Sequence, residues 1–271
     1  MYKDRMRLGK RDIRGSENQR KKCKQSGVGL QMAMLGIIRN ARGQVKQLKK
    51  CPRGPIHHLR TDMKKISALL KLITNSDGDS TAGFVSHIHM LKNTLAANRE
   101  NTVLLDNLKK YKFDAPILGR ILFEKMQLNA GNPVKILQQI DIVGRELELL
   151  RVDVIRTSLL RKRFQRSMRR ALGRMQKCLK KPDGKSFHQW RKRMKDVYYQ
   201  NEVLRMYDQD GKMHRRNGRL CKLLGDLNDL EMLKMRLNNM TFQGRGKLLV
   251  RISKKKQKFR SRALIIGRKI F

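Results

Sequence analysis

One histidine and two cations recur at helical spacing near residue 190. His188, Arg191 and Lys195 follow one another at intervals of three and four residues, which places their side chains on one face of an α-helix. Arginine offers a fork that can bridge two phosphate oxygens, lysine offers a flexible point charge, and a histidine beside phosphate tends toward its protonated form. This face is therefore predicted to bind an anion with several oxygens, and a line of such groups suits a linear one.

The same arrangement occurs a second time, 131 residues earlier in the chain. The earlier copy consists of His57, Arg60 and Lys64. An internal repeat of this kind implies two similar halves, each of which we expect to be a small helical bundle. Further polar residues that share the two faces are Lys65 in the first copy and Lys192 and Tyr199 in the second.

The cations of the second copy lack acidic neighbours that would relieve their repulsion. Two cations about 6 Å apart repel by about 3 kcal/mol at an effective dielectric constant of about 20, and helices usually relieve this with a carboxylate one turn away. Asp196 is predicted to lie off the basic face. From residue 156 to residue 195 there are 16 Lys or Arg, and Asp183 is the only carboxylate opposing them before the helix reaches Asp196. A solvated helix face is the ordinary explanation of such residues, but the repetition favours a bound anion.

The composition of the whole chain agrees with this interpretation. The sequence has 65 Lys and Arg against 22 Asp and Glu, a net charge of +43. Self-repulsion of this size destabilises a compact state unless a polyanion neutralises it. Apolar residues make up 39% of the chain, enough for a core, whereas aromatic residues make up only 5%. With so few aromatic side chains the protein offers little surface on which bases could stack, and this argues against single-stranded RNA as the partner.

Motifs of catalysis and of metal binding are absent from the sequence. It contains no GxxxxGK[ST] loop and no GxSxG turn, and no pair of carboxylates beside the basic faces could hold Mg²⁺. His87 and His89 are two positions apart and therefore point to different sides of a helix, with no third ligand in view. Glu146-Leu-Glu148 is followed by Leu150, not by the lysine of triphosphate tunnel enzymes. We predict a binding protein with no catalytic activity, cofactor or metal.

The cysteines and the apolar runs indicate the cellular compartment in which the protein resides. No CxxC pair occurs, and scattered cysteines are typical of reduced thiols in an intracellular protein. No apolar run is long enough to cross a bilayer, and the first 22 residues lack the apolar core of a signal peptide. A cytoplasmic protein with no membrane partner is therefore predicted. The four cysteines are Cys23, Cys51, Cys178 and Cys221.

The spacing of apolar residues predicts an all-α fold, because no strand-like alternation competes with the helical period. Residues 1–27 are basic with no apolar period, and we predict a flexible arm there. Residues 28–150 and 151–271 are the two predicted halves, the second ending in a basic tail. Ser186, with Gln189 three residues later, is predicted to cap the second histidine helix. Helix breaks are expected at 51–55, 75–79, 114–116, 131–133, 181–184 and 208–211, with a fourth helix beginning near Asn98.

In its order and spacing the pattern resembles the CHAD family, the conserved-histidine α-helical domain. The resemblance spans about residues 30–240, and Tyr198 stands where the family pattern tends to have arginine. Its first copy is fainter than its second. The residues that carry it are His188-Gln-Trp-Arg191-Lys192-Arg-Met-Lys195-Asp-Val-Tyr-Tyr199 and Leu224-Gly-Asp-Leu-Asn-Asp229, with His57-His-Leu-Arg60, Lys64-Lys65 and Arg99-Glu100 in the first copy.

The resemblance implies two four-helix bundles related by pseudo-twofold symmetry, which form one compact domain with a basic central groove that holds inorganic polyphosphate. Members of the family look like binding modules, sometimes attached to triphosphate-processing domains and associated with polyphosphate granules. To the two repeated faces we add cations that share a face on the first helix and on the penultimate helix. These additional candidates are Arg39, Arg42 and Lys46, and Arg215, Arg219 and Lys222.

A nucleic-acid or ribosome-binding protein is the alternative. Lys and Arg contacts to phosphate give sequence-independent affinity for any such backbone, so net charge does not separate the two classes. Geometry does separate them, because a groove with inward-facing cations suits a thin chain without bases better than it suits a duplex. The sequence contains no recognised DNA- or RNA-reading motif.

Overall fold

The computed structural model describes residues 17–48, 53–73, 82–95, 106–110, 132–150, 155–204 and 211–271, with side chains from residue 29 onward apart from that of Arg53. No strand occurs in these ranges, and the predicted all-α class is confirmed. No helix of the described ranges is long and apolar enough to cross a membrane. Residues 106–110 form one further helical turn. The longer helices are α1 (Glu17–Gln47), α2 (Arg53–Ile73), α3 (Ala82–Thr94), α4 (Pro133–Leu149), α5 (Thr157–Lys180), α6 (Gly184–Leu204), α7 (Gly211–Asn238) and α8 (Arg245–Arg268).

The first four helices form one bundle. α1 contacts α2 and α4, and α3 contacts α2 and α4, so the four helices close a ring around a common core. Leu59, Met63 and Ile66 of α2 are fully buried in this core. Their spacing of four and three residues forms the apolar face of an amphipathic helix. Full burial of such a side chain contributes roughly 1.5–3 kcal/mol.

The last four helices form a second bundle with its own core. α6 contacts α5 and α7, and α8 contacts α7 and α5. Trp190, Met194 and Val197 of α6 are fully buried here. A glycine lets α8 approach this core closely, because a Cβ at Gly267 would lie 2.9 Å from the Trp190 ring and 2.6 Å from the sulfur of Met175.

The two bundles are joined along α2 and α6, the helices that carry the repeated histidines. The buried amide of Gln200 donates to the carbonyl of Ala68 at 2.8 Å. Arg163 of α5 donates to the carbonyl of Leu72 at 2.7 Å and to that of Ile73, which satisfies groups that the end of α2 leaves without partners. These hydrogen bonds, from Gln200 of α6 and from Arg163 of α5, fix the position of α2 relative to α6. The pseudo-twofold relation between the bundles stays a prediction.

Several predicted boundaries shift in the structure. α1 begins at Glu17, so the predicted arm of residues 1–27 overlaps a helix, and residues 1–16 lie outside the described ranges. The predicted fourth helix near Asn98 also begins outside them. The basic tail lies in α8, where Lys256 is buried. The division between residues 150 and 151 stays a prediction.

The predicted cap of α6 is wrong. Ser186 does not cap the helix; its backbone N–H donates to the carboxylate of Asp183 at 2.7 Å, and the helix begins at Gly184. An aspartate is an effective N-cap because its charged oxygen accepts from the third helical N–H at the positive end of the helix dipole. Hydrogen bonds from the backbone and side chain of Ser186 hold the pKa of Asp183 below its usual value.

Candidate functional site

A groove of about 860 Å³ lies where α2 and α3 face α6 and α7. We call it the inter-bundle groove, since both bundles contribute to its walls. Its lining includes two histidines, His89 and His188, and two carboxylates, Asp196 and Asp229. Its cations are Arg60, Lys64 and Lys71 from α2, Lys92 from α3, and Arg191, Lys192, Arg193 and Lys195 from α6.

The amphipathic pattern of α2 turns its cations toward the groove. Arg60, Lys64 and Lys71 are four and seven residues apart, so they share one side of the helix while the buried apolar face lies on another. Arg60 also donates to the backbone carbonyl of Lys92 at 3.0 Å. That bond ties α2 to α3 at the groove wall.

α6 uses the same arrangement on the opposite wall. Its core face is fully buried, which directs Arg191 and Lys195 into the groove. The amine of Lys195 lies 5.4 Å from the centroid of the Tyr199 ring, a cation–π distance. Burial raises the pKa of Tyr199, so the phenol stays protonated at the groove wall.

A chain of hydrogen bonds orients His188. Its Nδ1 lies 2.6 Å from Oδ1 of Asn228, and Nδ2 of Asn228 lies 3.5 Å from Oδ1 of Asp229. The amide donor of Asn228 therefore faces a carboxylate, which leaves its oxygen to accept from Nδ1–H of the histidine. Nε2 is then the ring nitrogen available to a ligand.

Lys92 experiences the cations of both bundles. Its pKa is lowered first by burial and then by Lys71, Arg60 and Lys192, with Asp196 acting in the opposite direction. The pKa of His89 is also lowered, first by Lys92, then by burial and by Lys71. Cations on three helices thus lower one another's pKa values in the free groove. An anion bound among them would stabilise the protonated, charged forms.

Asp196 connects the two walls. Its carboxylate lies 2.7 Å from the amine of Lys71 on α2 and 3.7 Å from the guanidinium of Arg193 on its own helix. The sequence places Asp196 off the basic face of α6, yet it lines the groove from the side. Relief of repulsion therefore comes across the bundles, from Asp196 to Lys71, as well as along α6, from Asp196 to Arg193.

The structure brings about half of the sequence-predicted binding residues to the groove. The others lie outside its lining, and their role in binding stays a prediction. Arg42 bonds Asp141 of α4 at 2.7 Å, and Lys65 lies 3.3 Å from Glu202. In the groove are Arg60, Lys64, His188, Arg191, Lys192, Lys195 and Tyr199, whereas His57, Arg39, Lys46, Arg215, Arg219 and Lys222 are exposed elsewhere.

Three cations and one histidine of the groove were not among the predicted binding residues: Lys71, Arg193, Lys92 and His89. Lys71 could have been found, because it continues the face of Lys64 seven residues later. Lys92 and His89 come from α3, whose sequence gives no repeated basic pattern. His87 and His89 do point to different sides, since His87 bonds Glu146 of α4 at 2.8 Å while His89 lines the groove.

Comparison with known protein families gave a match over most of the chain. Neither the curated proteins nor the solved structures gave a significant match to the chain. Residues 37–238 match the CHAD domain, a stretch that runs from α1 to the end of α7 and includes every residue of the groove lining. The chain therefore belongs to the CHAD domain family.

Proposed function

We propose that this protein binds inorganic polyphosphate in the inter-bundle groove. The observation that carries the proposal is the convergence of eight Lys and Arg side chains and two histidines, contributed by α2, α3 and α6, on one groove. Membership of the CHAD family, which is associated with polyphosphate binding, supports it.

The chemistry of the groove suits a thin, unbranched polyanion. Arg60 and Arg191 lie on opposite walls and can each bridge two phosphate oxygens, while the lysines between them act as adjustable point charges. Cations on both walls contact a chain of phosphates from two sides. A nucleic-acid strand would also have to place its bases in the groove, and Tyr199 is the single aromatic ring in the lining apart from the histidines.

The proposal includes binding without catalysis. The two carboxylates of the groove are engaged by protein partners, Asp196 by Lys71 and Arg193 and Asp229 by Asn228. Among the described residues no cluster of His, Cys, Asp and Glu could hold a metal ion. We also propose a cytoplasmic location at polyphosphate granules, which a fluorescent fusion of the full chain would test against a polyphosphate stain.

The test is a binding titration with long-chain polyphosphate at fixed physiological salt. A groove variant, Arg60→Gln with Arg191→Gln and Lys195→Gln, removes one cation from one wall and two from the other. Hydrogen bonds to charged groups are worth roughly 1.5–3 kcal/mol each, so we expect at least a ~100-fold loss of affinity. An unchanged affinity would contradict the proposal.

A matched control separates the groove from net charge. Lys109→Gln with Lys135→Gln and Arg145→Gln removes the same charge from exposed positions outside the groove. We expect a loss of less than about threefold, since exposed cations far from the ligand act only through screened fields. Far-UV circular dichroism and thermal melting of both variants check that they are folded.

A further inference from the structure

In two neighbouring helices of the second bundle every charged residue is basic. α5 and α8 together contain nineteen Lys or Arg and no Asp or Glu. They contact each other, and Met175 of α5 faces Gly267 of α8 where they meet. A surface that serves only solubility mixes the two signs of charge, and these helices do not.

Most of these cations are exposed. Arg163 is buried and bonds the end of α2, and Lys256 is buried and pairs with Glu231, so these two have structural roles. The exposed cations, which we call the α5–α8 face, are Arg161, Lys162, Arg166, Arg169, Arg170, Lys177 and Lys180 on α5 and Lys247, Arg251, Lys254, Lys258, Arg262 and Arg268 on α8.

The α5–α8 face is separate from the inter-bundle groove. No residue of α5 or α8 lines that groove. A shallow depression of its own lies at the start of α5, lined by Arg161, Lys162 and Arg169 together with the polar side chains of Thr157, Ser158 and Gln165. A partner of this face would therefore not compete for the groove residues.

We propose that the α5–α8 face binds the phosphate backbone of double-helical nucleic acid. A helix of 24 residues is about 36 Å long, and a row of cations of that length can neutralise several phosphates and release their counterions. A stiff duplex keeps its phosphates in place against a one-sided surface, whereas a flexible polyanion would lose conformational entropy there without being enclosed.

Two other partners fit the face less well. Single strands are bound through aromatic stacking platforms, and none of the exposed residues of α5 and α8 is aromatic. A helix that inserts into a membrane surface needs a continuous exposed apolar side, but the apolar side of α5, with Leu160, Ala171 and Met175, is buried in the bundles. The exposed large apolar residues of the two helices lie far apart along each helix: Leu159 and Leu179 on α5, and Val250 and Ile265 on α8. The polar side chains beside the cations, such as Gln165 and Ser158, can bond phosphate and sugar oxygens.

The test uses the full chain and 24-base-pair duplexes of DNA and of RNA at about 150 mM salt. The α5 variant replaces three exposed cations, as Lys162→Gln, Arg166→Gln and Arg169→Gln. The matched control removes the same charge from the first bundle and from the turn at residues 106–110, as Lys109→Gln, Lys135→Gln and Arg145→Gln. We expect the α5 variant to bind duplex at least tenfold more weakly and the control less than twofold more weakly.

The salt dependence gives a second readout. Each neutralised phosphate contributes about 0.9 to the slope of log affinity against log salt, so the α5 variant should reduce that slope by about 3 and the control should leave it unchanged. Equal losses in the two variants would assign the binding to net charge and overturn the proposal. Unchanged duplex binding by the α5 variant would overturn it as well.

The same assay compares the affinity for duplex with the affinities for the competing partners. Single-stranded DNA of equal length, or vesicles of phosphatidylglycerol, binding as tightly as duplex at equal phosphate concentration would overturn the proposal. The two duplex arms show whether DNA or RNA is preferred. The groove variant Arg60→Gln, Arg191→Gln, Lys195→Gln should bind duplex within twofold of the wild type, so this proposal and that for polyphosphate stand or fall separately.

Discussion

The two bundles both supply cations to the inter-bundle groove, but they differ on their other surfaces. α3 and α4 of the first bundle carry three Lys or Arg against three Asp or Glu, whereas α5 and α8 of the second carry nineteen against none. Outside the groove α1 of the first bundle is also basic, with seven Lys or Arg against one Glu, but the largest excess lies on α5 and α8. This difference is the reason for proposing two binding surfaces where net charge alone would suggest one.

The largest effect is expected from core positions that the repeat relates to each other. Leu59→Ala in the first bundle should cost roughly 2–5 kcal/mol and Trp190→Ala in the second roughly 3–5 kcal/mol, because both side chains are fully buried. Since α2 and α6 pack together, we expect each variant to lower one shared melting transition in calorimetry. Two separable transitions would show that the bundles unfold independently.

The next largest effect on stability distinguishes a structural cation of α5 from an exposed one. Arg163→Met leaves the carbonyls of Leu72 and Ile73 without their donor, and an unsatisfied buried group costs about 1–3 kcal/mol. Arg166→Met changes an exposed side chain and should stay within about 0.5 kcal/mol. Urea denaturation measures both. Equal destabilisation by the two substitutions would contradict the assigned role of Arg163.

The paired histidines should differ in their effect on binding. His188 is oriented by Asn228 at the groove, while His57 is exposed outside the lining. His188→Gln should weaken polyphosphate binding about tenfold, the value of one charged hydrogen bond at the low end of its range. His57→Gln should change it less than twofold. A titration in which both variants behaved alike would mean that the repeat, and not the groove, determines the site.

The smallest effect concerns pH and the contribution of α3. The pKa of Lys92 is lowered in the free protein, and a bound polyanion should raise it, so binding takes up a proton where the free amine is neutral. Affinity should accordingly fall as pH rises toward the usual lysine pKa of about 10.4, by at most about 10-fold per pH unit for a single linked proton. Lys92→Arg keeps its charge in this range and should flatten the profile. The exposed control Lys135→Arg should leave it unchanged.

The sequence predicts what depends on local pattern and order. The all-α class follows from apolar spacing, and the basic face of α6 follows from His188, Arg191 and Lys195. The contribution of α3 is different, because Lys92 and His89 reach the groove only through packing of α3 against α2. Asp196 was placed off the site for the same reason, since its partner Lys71 lies 125 residues away on the other bundle. The error at Ser186 was local: Asp183, three residues earlier, is the stronger acceptor.

The central claim is that one polyphosphate chain is held between the two bundles. A crystal structure of the full chain with polyphosphate of defined length tests it most directly. We predict consecutive phosphates in the inter-bundle groove, with oxygens about 2.7–3.2 Å from the guanidinium groups of both Arg60 and Arg191. Phosphates found only on the α5–α8 face, with none between Arg60 and Arg191, would contradict it.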